Sequence, residues 1–72
     1  MAEKLRISRR EDGFEVVGNR EGLRDLAEVC LALSRLSMGE AQTAANHYHF
    51  ADYVNNAETG SVPLIIRFQP DL

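Results

Sequence analysis

The residues whose types and spacing come closest to a chemical site are His47, Tyr48 and His49. Two imidazoles at i and i+2 on an extended segment project to one side of a strand, where they can share a metal ion. Structural zinc, however, takes about four protein ligands and catalytic zinc about three with a water. The sequence holds no further histidine, and its single cysteine, Cys30, falls within a helical pattern. Asp52 points to the opposite face if the strand continues. A small metal-dependent enzyme centred on His47 and His49 is therefore the weaker reading, and no metal or cofactor is expected. No nucleophile–histidine–acid set is recognisable from spacing either. Contact or packing roles suit these histidines better.

Other chemical motifs are missing: no glycine-rich phosphate loop, no aromatic RNA-binding strand pair, no zinc-finger spacing. With one cysteine no intrachain disulfide can form, and a cysteine inside a helical stripe is expected to be a small buried hydrophobe. Seventy-two residues make one small domain, 1–72, near the lower limit for folding without disulfides or metal. So short a chain does not easily surround a deep substrate cavity, which favours a binding module or oligomer subunit over an enzyme.

Net charge is −3 and the pI about 5.2, against the basic balance of a dedicated nucleic-acid binder. The charge is uneven, with Lys4, Arg6, Arg9 and Arg10 against Glu3 in the first ten residues. That opening stretch lacks the apolar core of a secretory signal. The longest apolar run, residues 29–33, is far short of the roughly 20 residues a membrane helix needs. A cytoplasmic protein with neither membrane nor nucleic-acid partners is expected.

The elements that must position these residues follow from periodicity. Residues 4–8, KLRIS, and 14–18, FEVVG, alternate apolar and polar side chains around Asp12-Gly13, the pattern of a β-hairpin. Leu5, Ile7, Phe14 and Val16 point inward. Residues 19–39 read as the one long helix, with Asn19 as N-cap, Glu21 in the first turn and Gly39 as the left-handed stop. Leu23, Leu26, Ala27, Cys30 and Leu33 form its apolar stripe, widened by Val29 and Leu36 on one flank and Leu31 on the other. That arc exceeds half the circumference. Either residues 39–45 or 51–61 cover the surplus, or a second copy does, making a homodimer through the helix flank.

Residues 46–50, NHYHF, read as a third strand with Tyr48 and Phe50 inward. Residues 51–61 form a long loop, and 62–68, VPLIIRF, a last strand with Leu64, Ile66 and Phe68 inward. The fold class is α+β, in the order β-β-α-β-β, with a four-stranded, mainly antiparallel sheet and one helix packed on one face. Two strand orders remain, 2-1-3-4 and 2-1-4-3. The apolar run at Leu64, Ile65 and Ile66 leans toward the second, which has a parallel central pair.

On these assignments the sheet's open face gathers Lys4, Arg6, Ser8, Glu15, Val17, His47, His49, Ile65 and Arg67. It is mildly basic within an acidic protein, and Val17 and Ile65 add apolar area. Arg6, Val17, His47, His49, Ile65 and Arg67 are the candidate contact residues for a protein partner.

Three stretches together, GNREGLRDLAEVCLALS (18–34), HYHF (47–50) and SVPLIIRF (61–68), resemble the immunity protein 32 family of small bacterial proteins from polymorphic toxin systems. The likeness spans residues 4–68; Cys30 stands where a leucine is expected, and Phe50 ends a strand that often ends in leucine. It implies a protein that neutralises a cognate toxin by binding it, and brings no catalytic residues. The alternative is a structural or homo-oligomeric module without enzymatic activity.

Overall fold

The N-terminal hairpin forms where alternation places it. The structure, a computed structural model, describes residues 4–72. Strand β1 (Leu5–Arg10) pairs antiparallel with β2 (Gly13–Gly18), with Leu5 opposite Gly18 and Ile7 opposite Val16. Gly13 closes the turn at φ 150°, a conformation that side-chain-bearing residues rarely adopt. Leu5 and Ile7, each 2% exposed, meet the fully buried Phe50 to form the core. Phe14 lies on the same face opposite Arg9, but beyond the core's edge. It is 68% exposed rather than inward-packed, with the Arg9 guanidinium 5.9 Å from its ring centroid.

The helix α1 (Arg20–Ser34) is tied to β1 at its first turn. The Asn19 Oδ1 accepts from the N–H groups of Gly22 (2.7 Å) and Lys4 (3.0 Å), and the Asn19 N–H donates to the Lys4 carbonyl (3.1 Å). This N-cap thus serves two elements at once. Gly22 is buried against the same backbone, and a Cβ there would collide with the Lys4 carbonyl. The helix stops at Ser34, short of Gly39, which has ordinary right-handed angles (φ −64°, ψ −45°). A capping box intervenes: the Ser37 N–H donates to Glu40 Oε1 (3.0 Å), and the Glu40 N–H donates to Ser37 Oγ (3.1 Å). It opens a 3₁₀ turn, Glu40–Gln42, followed by a second, Ala44–Asn46.

Strands β3 (His47–Phe50) and β4 (Leu64–Arg67) pair antiparallel, His47 opposite Arg67 and Phe50 opposite Leu64. The expected continuous four-stranded sheet is instead two separate two-stranded ladders. Residues 58–62 bridge them, running parallel to β1: the Glu58 N–H donates to the Leu5 carbonyl (2.7 Å) and the Val62 N–H to the Ile7 carbonyl (2.8 Å). The hydrogen bonds thus follow the 2-1-4-3 arrangement, through the lead-in to β4 rather than through β4 itself. No ladder forms because the Ile7 N–H donates to the Ser61 hydroxyl (3.2 Å) instead of a main-chain carbonyl, and because Pro63 has no N–H to donate.

Anchoring at Gly22 also fixes how α1 is turned. Gly22 and Leu33 are buried and Leu26 and Val29 half-buried, whereas Leu23 (47%), Leu31 (50%), Ala27 and Cys30 are exposed. The expectation of a buried Cys30 is therefore corrected. Neither residues 39–45 nor 51–61 cover this flank; the latter lie along β1 on the other side.

Candidate functional site

The six candidate residues occupy the sheet side that faces away from the core, in two cross-strand groups. Arg6 stands opposite Val17 on the first ladder. On the second, His47 stands opposite Arg67 and His49 opposite Ile65. Directly opposed residues on one face are the closest neighbours a sheet offers. The two imidazoles stack edge-on, with ring centroids 4.9 Å apart at 75°. The Asn46 amide orients the first of them: its Nδ2–H₂ donates to the Ala41 carbonyl (3.0 Å), which turns its Oδ1 toward His47 Nδ1 (2.9 Å). An amide oxygen can only accept, so His47 carries a proton on Nδ1 and keeps Nε2 for a partner.

The face's acid, Glu15, is held by Arg10 at 3.1 Å, with both side chains about half exposed. Among the described residues, neither Arg6 nor Arg67 of this face meets a carboxylate. Ile65, 53% exposed, adds apolar character. Among the described residues, no group of three or more His, Cys, Asp or Glu side chains converges as metal ligands do. The arrangement suits recognition of a surface: cationic forks, two imidazoles and two aliphatic side chains on a rigid ladder.

A second feature escaped the sequence. Because α1 is fastened over the first hairpin, it leaves a cleft of about 310 Å³ along its other flank, above β3. Val29, Ala32, Leu33, Leu36 and Ala45 supply its apolar lining, Tyr48 and His47 its β3 wall, and Asp25 and Glu28 its acidic rim. Helical periodicity alone puts both carboxylates opposite the stripe of Leu23, Leu26, Ala27, Cys30 and Leu33. Finding the cleft required knowing that Gly22 pulls the helix toward β1. The pair Ala32 and Ala45, small residues facing the large Tyr48, was the available signal. Tyr48, expected inside, is 41% exposed here, its ring 5.0 Å from that of Phe50.

No helix among the described residues is long and apolar enough to cross a membrane. A sequence model of a protein family described as immunity protein 32 matches residues 14–69, from the second strand to just past the last. No individual curated protein and no solved structure matches the chain.

Proposed function

The chain belongs to the immunity protein 32 family, and from that membership we propose that it is a bacterial, cytoplasmic binding protein, without enzymatic activity, that neutralises a cognate toxin by occluding its active site. The observation that carries this reading is the pairing of Arg6 with Val17, His47 with Arg67 and His49 with Ile65 on one solvent-facing side. Guanidiniums such as those of Arg6 and Arg67 suit an acidic patch on the partner, which their forked donors can engage bidentately. The loop at 51–61 offers a second contact, since Tyr53 and Val54 are exposed there.

Co-purification with a toxin encoded alongside this protein tests the role, and charge reversal tests the face. Arg6→Glu with Arg67→Glu is expected to weaken the complex about tenfold or more at low salt. Unchanged affinity would move the interface elsewhere, and absence of any toxin partner would leave the homo-oligomeric module as the better account.

One observation also favours a second copy on the helix flank: Leu23 is 47% and Leu31 50% exposed, beside the exposed Ala27 and Cys30. Leu23, Ala27, Cys30 and Leu31 form the apolar strip that a homodimer would bury, and Leu31→Lys is expected to shift sedimentation from dimer to monomer.

A further inference from the structure

Beyond the sheet face, the cleft between α1 and β3 has a chemistry of its own. Its floor is aliphatic, from Ala32 and Leu36, one wall is the Tyr48 side chain, and its rim carries Asp25 and Glu28. Neither carboxylate meets a cation among the described residues, where the ion pair present is Arg10 with Glu15. A volume of about 310 Å³ is at the lower end of small-ligand sites and exceeds what one side chain fills.

We propose that this cleft is a receptor for an arginine together with a neighbouring apolar side chain, presented by a partner protein. Charge complementarity selects the occupant. An aliphatic stem prefers the Ala32–Leu36 floor, and a cationic head prefers the rim, which is how long basic side chains divide themselves between apolar and polar surroundings. Arginine fits better than lysine for two reasons. Its planar guanidinium lies against an aromatic side chain such as Tyr48, and its fork of donors reaches two carboxylates where an ammonium serves one. A purely aliphatic occupant would leave Asp25, already half-buried, desolvated and unpaired, which is unfavourable. His47 lines this cleft and also belongs to the open face. A partner that passed round the edge of β3 would meet both surfaces. That extension rests on the toxin-binding reading; the receptor itself does not.

The test titrates acetyl-Leu-Arg-amide into the protein and follows amide 1H–15N shifts. Saturable shifts at Asp25, Glu28, Ala32, Leu36 and Tyr48 are expected, with millimolar affinity. Acetyl-Leu-Lys-amide should bind several-fold more weakly, and acetyl-Leu-Glu-amide should leave these amides unmoved. Asp25→Asn with Glu28→Gln should weaken the arginine dipeptide about fivefold or more, in keeping with two exposed charge contacts. Ala32→Phe, at an exposed helix position, should fill the floor and abolish binding with the rest of the spectrum unchanged. Equal shifts from the Arg, Lys and Glu dipeptides, shifts that avoid the cleft, or full affinity in Ala32→Phe would overturn the proposal. Because the probe is a dipeptide, these outcomes do not depend on whether a toxin partner exists.

Discussion

The two ends of the helix's contact with the sheet are built by different means. At the first turn, Asn19, Gly22 and Lys4 bring backbone against backbone through three hydrogen bonds and a missing Cβ. At the other end, over β3, the helix stands off and leaves a cleft walled by Tyr48 and His47. The first region concentrates hydrogen bonds and close backbone packing. The second gives up burial and offers unpaired charge and apolar area. In a chain of 72 residues one core cannot close on all sides, so positional precision on one side is combined with availability on the other. The side left open is also where the histidine–arginine ladder lies.

The largest effect expected from breaking this asymmetry is at Gly22. Gly22→Ala places a methyl on the Lys4 carbonyl, where rigid backbone cannot yield, and should cost about 3 kcal/mol in urea unfolding. Gly39→Ala is the control. Its Cβ would meet nothing nearer than Ser37 Oγ at 3.8 Å, and its φ is −64°. Alanine suits that conformation, so neutrality or a gain of about 0.4–1 kcal/mol is expected. If the two variants behave alike, the close approach at Gly22 is not what fastens the helix.

A smaller loss is expected where side chains complete the backbone's hydrogen bonds. Ser61→Ala removes the acceptor of the Ile7 N–H in a buried setting, at about 1–3 kcal/mol. Asn19→Ala removes the shared cap, at about 0.5–2 kcal/mol. Substitutions on the open side, such as Arg67→Glu or Glu28→Gln, should stay within about 0.5 kcal/mol. Should the open side prove as sensitive as Ser61, the division between a stabilising and a recognising half fails.

The sequence made the same division only partly legible. Alternation in residues 4–18, 47–50 and 62–68 placed the strands and the side each residue faces, though not its burial, since Phe14 and Tyr48 stay exposed. Those assignments rest on a period of two that tertiary packing has little freedom to alter. The apolar arc of α1 was correctly read as too wide, but its centre was misplaced by about a quarter turn, because helical periodicity cannot tell which half of a wide stripe is buried. That choice was made by Gly22 against Lys4, a contact between residues 18 positions apart. Cys30 and Leu23 followed the helix outward for this reason. Likewise Pro63 and Ser61 were readable as residues, yet their interruption of the sheet appears only once residues 58–62 are laid beside β1. The capping box Ser37-Met38-Gly39-Glu40 is written in the sequence, but the reading of Gly39 as the helix stop left it out.

That capping box sharpens the comparison at its quietest point, the connector between the helix and the open ladder. The Ser37 backbone N–H, and secondarily its hydroxyl, hold the Glu40 carboxyl below its ordinary value of 4.5. A carboxyl depressed in the folded state contributes stability above its unfolded pKa and loses it as pH falls through the folded one. The box should therefore stay intact at neutral pH and open only below about pH 4.5. The Glu40 side-chain carbon shift and the Ser37 amide shift should titrate together, with a midpoint under 4.5. Ser37→Ala keeps the N–H and should leave the midpoint lowered, though less so; Glu40→Gln should keep the turn and erase its pH response. The signals of Gly22 and Ile7 should not move over that range, since their hydrogen bonds involve no titrating group. A midpoint at or above 4.5, or a shared transition with Gly22, would mean that the connector is set by global stability rather than by its own cap.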